Sequence, residues 1–289
     1  MTFGRYEIFL IESGRFRLDG GAMFGVVPKP MWEKVNEVDA QNRVAMTMRS
    51  LVLRDEKRVI LVDTGVGDKD GEKFQSIYAI DHSQFRLADQ LAALGIATED
   101  VTDVVLTHLH FDHVGGCVRR MGERLEPVFT HARHYVQQRH WDWAMRPSDK
   151  DKASFIPDNY LPLHDAGLLS FLDGETELFE GLHLEIVNGH TFAQQMVRIA
   201  GDGRSLLYAA DLIPMSAHIP APWIMSYDLQ PLVTLEEKLR VLDRSAREGD
   251  IVLFEHDTGT EAASIVRTEK GYTAGVRGRL ADVLNENAA

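Results

Sequence analysis

The chain has a single cysteine, Cys117, in 289 residues. No internal disulfide can form, and a lone thiol suits a reducing compartment, so a cytoplasmic location is expected. Long apolar runs are missing too. No stretch approaches 18 consecutive apolar residues, so no membrane span is expected. The N-terminus carries Arg5 and Glu7 in its first ten residues and does not read as a signal peptide. Positive charge is in deficit: 31 Lys and Arg against 44 Asp and Glu give a net charge of −13. That balance argues against nucleic acid and against an anionic membrane surface as partners. There is no internal repeat period and no low-complexity segment. A hydrophobic content of 44% with 26% charged residues is ordinary for a globular chain. At this length about 75% of the unfolded surface can be buried, so no disulfide staple is needed.

Strand-like and helix-like stretches alternate along the chain. Val44 to Met48 has period two, and Arg58 to Val62 is a compact apolar run. Asp55-Glu56-Lys57 between them predicts a hairpin turn. Leu87, Ala88, Leu91 and Leu94 share a helical face, and Gly95 follows as the residue past the helix end. His183 to Val187, Met196 to Ala200 and Ser205 to Ala210 read as strands, the last two joined by a turn at Gly201-Asp202-Gly203. Thr234 and Glu237 form a capping-box pattern that opens a helix ending at Gly249. Ile251 to Phe254 is the last convincing strand. The order predicts an α/β architecture with sheets in the middle and helices outside. The whole chain, 1–289, is expected to be one domain. Residues 146–165 have little periodicity and are expected to form a surface loop that acts as a lid.

The chemistry concentrates in Asp103-Val104-Val105-Leu106-Thr107-His108-Leu109-His110-Phe111-Asp112-His113. A short apolar strand runs into three histidines and an aspartate within six positions. Neutral imidazoles and a carboxylate are the usual ligands of zinc, iron or manganese. Period two points His108 and His110 to the same side of an extended segment. The turn that follows aims Asp112 and His113 at a second point nearby, and Gly115-Gly116 lets the backbone turn sharply. Solvated loop histidines are the alternative, but the density of the cluster at a strand end argues against chance.

With these residues the sequence resembles the metallo-β-lactamase superfamily. Leu61-Val62-Asp63-Thr64-Gly65 matches its strand-end aspartate and glycine turn. Asn188-Gly189-His190-Thr191 matches its third histidine, Ala209-Ala210-Asp211 its second strand-end aspartate, and Phe254-Glu255-His256 its final histidine. The resemblance runs from about Val44 to Asp257. It implies an αββα sandwich, two mixed β-sheets face to face with helices on both outer faces. It implies two divalent metal ions, zinc first, with iron, manganese or cobalt as alternatives. His108, His110 and His190 would hold one ion, and Asp112, His113 and His256 the other. Asp211 would bridge them, and Asp63 would support the site by hydrogen bonding. Cys117 and the histidines outside these motifs are expected to be structural or surface residues, except His218, which is close enough to Asp211 to line a pocket.

Within the superfamily, the segment from Asp19 to Trp32 resembles the acyl-homoserine lactonase-like and methyl parathion hydrolase-like branch. There residues 1–43 would shape the pocket or a dimer contact. The short lactonases of that branch place a tyrosine three residues after the bridging aspartate, where this chain has Pro214. Phe24, Trp32, His218 and Tyr227 are the candidate pocket residues in its stead. The implied activity is hydrolysis of a lactone by a hydroxide held between the metals, with Asp112 as the catalytic carboxylate that orients it and moves its proton. Phosphotriester or aryl-ester hydrolysis at the same site is the alternative, and a non-catalytic metal-binding domain is the reading from another class. The expected partner is a small-molecule lactone or ester, and a homodimer is expected from the apolar N-terminal segment.

Overall fold

The computed structural model describes residues 1–201 and 203–286. Sixteen strands are formed among them. The first sheet holds β1 (Thr2–Phe3), β2 (Tyr6–Asp19), β3 (Arg43–Arg54), β4 (Val59–Val62), β5 (Asp103–Val105), β8 (Arg133–Gln137) and β9 (Leu169–Leu172), in that spatial order. A small hairpin of β6 (Val118–Met121) and β7 (Arg124–Pro127) stands apart. The second sheet runs β10 (Thr176–Phe179), β11 (Leu182–Val187), β12 (Gln194–Ala200), β13 (Ser205–Tyr208), β14 (Ile251–Leu253), β15 (Ala262–Thr268) and β16 (Gly271–Gly278). Both sheets are mixed. β4, β5, β8 and β9 pair in parallel in the first, and β13 pairs in parallel with β14 in the second.

Alternation along the central strands decides the layering. Leu51, Leu53, Ile60 and Val62 meet Leu206, Tyr208, Ile251 and Leu253 in the core between the sheets. Their neighbours Val52, Leu61 and Val104 face outward and pack with Leu91, Trp141 and Leu163. On the other side Leu207 and Val252 pack with Val241 and Leu242 of the helix Pro231–Glu248. Strands buried on both faces carry continuous apolar runs, and each buried aliphatic side chain stabilises the fold by about 1.5–3 kcal/mol. The result is the αββα sandwich that the motifs imply.

Local signals held at several places. Asp55 Oδ1 accepts from the amides of Lys57 and Arg58 at 2.8 and 2.9 Å and closes the expected turn. Gly95 and Gly249 take left-handed φ values of 71° and 72° just past their helices. Two expectations need correction. The helix expected to open at Thr234 starts at Pro231, because proline at the first position is preorganised for helix. Glu237 therefore does not box with Thr234; its carboxylate accepts from the amides of Asn188 and Gly189 at 2.9 Å. Ile251–Leu253 is also not the last strand, since β15 and β16 follow and cover it as an antiparallel pair. In the turn after β12, Asp202 lies outside the described residues, while Gly203 has a φ of 80°. Within 146–165 the chain is not all loop: Pro157–Asn159 forms a 3-10 turn and Leu161–Asp165 a short helix.

Candidate metal centre

β4 and β5 lie side by side and end together. Past β4, Asp63 adopts a left-handed φ of 53°, which turns its carboxylate back under the neighbouring strand end. Asp63 Oδ1 accepts from the Thr107 amide at 2.8 Å, and Oδ2 accepts from Thr107 Oγ1 at 2.6 Å and from His113 Nδ1 at 3.0 Å. This fixes the start of the histidine segment. A short helix, Phe111–Val114, then carries Asp112 and His113 onward from His110. Gly115 and Gly116 follow for a reason other than an unusual turn. Their φ values are not positive, but a Cβ on Gly115 would stand 2.1 Å from Val66 O, and one on Gly116 would stand 2.2 Å from Thr64 O. Close approach of two backbones requires glycine there.

The sequence-distant residues arrive at the same place from the second sheet. His190 lies between β11 and β12, Asp211 follows β13, and His256 follows β14. Among the described residues, His108, His110, His190 and Asp211 bring ligand atoms within 4.8 Å of one another, and Asp112, His113 and His256 form a second such group. Asp211 faces both groups. Its Oδ2 is 3.1 Å from His190 Nε2 and 3.6 Å from His113 Nε2, and its Oδ1 is 3.1 Å from His256 Nε2. Nitrogens of His108 and His190 lie 3.0 and 3.2 Å from His110 Nδ1. All seven side chains are buried.

The outward ring nitrogens explain why these lone pairs converge. His190 Nδ1 donates to Asp228 Oδ1 at 2.9 Å, and His256 Nδ1 donates to Thr47 O at 2.9 Å. Thr107 Oγ1 spends its proton on Asp63, so it accepts from His108 Nδ1 at 3.0 Å. His113 Nδ1 has two carboxylates within reach, Asp63 and Glu255 Oε1 at 3.1 Å. With Nδ1 held from outside, Nε2 of His108, His113, His190 and His256 faces inward, as buried partners orient metal-ligating imidazoles, while His110 faces inward through Nδ1. Five imidazole nitrogens and two carboxylates converging on one place suit divalent cations.

Electrostatics match this packing. Burial, reinforced by neighbouring imidazoles, holds His108 and His110 well below the ordinary histidine pKa. Burial acts the same way on His113, but Glu255, Asp112 and Asp211 outweigh it and raise its pKa. Asp211 is held well below the usual carboxylate range: burial opposes this, and His190, His113 and His256 overcome it. Burial first, then Asp63, pushes Glu255 up to about 7.

Of the candidate pocket residues, Tyr227 lines the cavity of about 140 Å³ that opens over the two groups. Phe24, Trp32 and His218 do not. They form a buried stack behind its wall, with Phe24 5.3 Å from the Trp32 ring and 4.9 Å from the His218 ring. His218 Nε2 donates to Met23 O at 2.8 Å, so the stack sets Met23, which with Leu18, Met46 and Met225 makes the apolar wall. Lys150, Asp151, Ala153 and Ser154 of the expected lid segment reach the same cavity. Pro214 serves the backbone, its carbonyl accepting from the His256 amide at 2.9 Å. Asp228, Glu255 and Thr47 were not singled out from the sequence as site residues. No spacing marks Asp228, and only the adjacency of Glu255 to His256 was available as a signal. His140, expected to be structural or at the surface, is buried; it accepts from the Leu109 amide at 2.8 Å between two of the histidines.

A family model described as the metallo-beta-lactamase superfamily matches residues 49–256. The chain belongs to that superfamily. As a superfamily member with these clusters it is a metal-dependent hydrolase. It is 23% identical over 233 residues to an N-acyl homoserine lactonase of Bacillus thuringiensis, covering 75% of this chain and 84% of the relative. A probable metal-dependent hydrolase from Staphylococcus aureus superposes with a TM-score of 0.88 at 26% identity, covering 97% of this chain and 99% of that one. The dizinc quorum-quenching lactonase AidC superposes with a TM-score of 0.79 at 21% identity, covering 97% of both chains. That last likeness is one of fold. Among the described residues no helix is long and apolar enough to cross a membrane.

Proposed function

We propose that this superfamily hydrolase opens a lactone or related ester at the centre beneath the cavity. The observation that carries the reading is Asp211, whose two oxygens face two separate ligand groups at the floor of an apolar-walled cavity. His108, His110 and His190 would hold one divalent ion, and Asp112, His113 and His256 the other, with Asp211 between them. Zinc suits this mixture of imidazole and carboxylate, and iron, manganese or cobalt are alternatives. When bound, such ions lower the pKa of water and polarise a carbonyl. The protein's own part is positional. Asp63, Asp228 and Thr47 hold the rings of His113, His190 and His256 in place before substrate arrives. Asp112 lines the cavity and is the carboxylate placed to take the proton of the attacking water and return it to the leaving alkoxide. Leu18, Met23, Met46 and Met225 keep bulk water from the carbonyl. The names of the lactonase relatives support a lactone, and exposed Val26, Met31 and Val35 support self-association through the N-terminal segment.

The test is kcat/KM for acyl-homoserine lactones, simple γ- and δ-lactones, aryl esters and paraoxon-like triesters on one metal-analysed preparation. Turnover of a lactone that is lost with chelator and restored by metal is the expected result. If every lactone is inert while a triester or aryl ester turns over well, the lactone reading falls and the alternative stands.

A further inference from the structure

The cavity above the centre has three properties that together restrict its occupant. The first is size. About 140 Å³ is less than half of the roughly 300 Å³ at which pockets for drug-sized ligands begin. The second is charge. Asp112, Asp151 and Asp211 line the cavity, and Lys150 is the only Lys or Arg among its described lining residues. The Lys150 ammonium has three protons, and they go to the carbonyls of Ser226, Tyr227 and Asp228 at 2.8, 2.9 and 3.1 Å. Away from the ligand groups, no lysine or arginine is left to meet an anionic substituent. The third is the pair of tyrosines. Tyr78, at the end of the helix Glu72–Tyr78, and Tyr227 both line the cavity. Neither hydroxyl is hydrogen-bonded to another described residue, although the Tyr78 ring is pinned 4.6 Å from Phe111. Both lie near enough to Asp112 that its charge, after burial, helps to raise their pKa values.

We propose that the substrate is a compact neutral lactone or ester, held over the centre by hydrogen bonds from the Tyr78 and Tyr227 hydroxyls. The proposal rests on the hydrolytic reading above and narrows it to a substrate class. Apolar wall residues and two unengaged O–H donors lining the same small cavity suit a small ring or short ester with oxygen atoms at one end. A long acyl chain would run out of the cavity into solvent, and a carboxylate on the part of the substrate away from the centre would face Asp151 with Lys150 already engaged. In the reaction a bond forms between water oxygen and the acyl carbon, the bond from that carbon to the alkoxide oxygen breaks, and the water proton passes to the alkoxide. The tyrosines donate hydrogen bonds and keep their protons.

The experiment compares metal-loaded wild type with Tyr78→Phe, Tyr227→Phe and the double variant. Substrates are γ-butyrolactone, acyl-homoserine lactones of increasing chain length, phenyl acetate and a carboxylate-bearing phenyl ester. Calorimetric binding of 2-pyrrolidinone, a lactam isostere that resists hydrolysis, gives a readout independent of turnover. The wild type is expected to favour the short neutral substrates. Each Phe variant is expected to lose about tenfold in kcat/KM on them and to bind the lactam more weakly, with melting temperature unchanged, as for a lost hydrogen bond of about 1.4 kcal/mol. Long chains or the carboxylate ester being preferred, or both variants matching wild type in turnover and lactam binding, would overturn the inference and leave the hydrolase reading intact. A wild type that hydrolyses no lactone or ester at all overturns the functional reading itself, and the inference with it.

Discussion

Asp228 stands in no motif, yet its carboxylate holds the outward nitrogen of His190 at 2.9 Å. An ordered acceptor there fixes the ring's tautomer and aim, and losing such a partner typically costs ten- to a hundredfold in metal affinity. Asp228→Ala is therefore expected to weaken metal binding about tenfold or more, measured by competition with a chromogenic chelator, while the fold persists. Asp211 carries a sharper expectation. Asn cannot supply charge to both ligand groups, so Asp211→Asn is expected to bind at most one ion per chain by elemental analysis and to lose activity at least a hundredfold. His164 has a half-exposed side chain and stacks on Trp141, away from the centre. His164→Ala is expected to stay within about twofold of wild type. Equal activity in the two variants would refute the ligand assignment.

Elements show where backbone geometry, more than side chains, decides. The turn after Phe111–Val114 packs against the turn after β4 so tightly that Gly115→Ala forces a Cβ onto Val66 O. That change is expected to destabilise the protein by about 2–4 kcal/mol in urea unfolding, in the range of overpacking with backbone shift. The helix Pro231–Glu248 carries a second device. Lys238 is buried and donates to the carbonyls of His218, Pro220 and Trp223, tying the segment behind the cavity wall to the helix. Burial, only partly offset by Asp228, lowers its pKa to about 7. In the unfolded chain the ordinary lysine value near 10.4 applies. Between those values the unfolded state binds more protons, so this group makes stability rise as pH rises from about 7 toward 10. Below about 7 both states are protonated and the contribution is flat. Melting temperature followed from pH 7.5 to 9.5 is expected to have a more positive slope in wild type than in Lys238→Met.

At the scale of the whole molecule, the seven candidate ligands come from both sheets. His108 to His113 follow a strand of the first, and His190, Asp211 and His256 follow strands of the second. Ions bound there would cross-link the two halves of the sandwich. At a thousandfold excess over the dissociation constant, binding stabilises by about 4 kcal/mol. At about 2–4 °C per kcal/mol, chelation is expected to lower the melting temperature by roughly 10 °C, with recovery on adding zinc. Acid should have the same effect, because imidazoles must be neutral to bind and protons compete as pH falls. Activity and metal content are expected to fall together below neutral pH. A rate that stays flat into acid with metal retained would refute the metal-dependent reading.

The fold was readable because its signals are local or ordered along the chain. Continuous apolar runs in Val59–Val62 and Ile251–Leu253 dictate strands buried on both faces, and strand ends followed by histidine or aspartate recur in a fixed order. Composition alone excluded an internal disulfide, since Cys117 is the single cysteine. Pairing along β15 and β16 was less legible, since Gly271 to Gly278 is poor in apolar residues and its register depends on an already formed neighbour. The centre divides in the same way. The residues with donor atoms announced themselves by type and spacing. Those that aim the donors, Asp228, Glu255 and Thr47, did not, because hydrogen bonds across 38 to 209 positions leave no periodic trace. The pocket is where tertiary packing overruled local reading. Phe24, Trp32 and His218 lie close in space to the cavity, but stacking on one another buries more apolar surface than exposure to it, so they became its backing. Tyr78 and Tyr227 reach it because the elements that carry them fold over the ends of the strands. Residue chemistry and its order were set by the sequence; which side chains face the cavity was set by competition among packings that only the folded chain resolves.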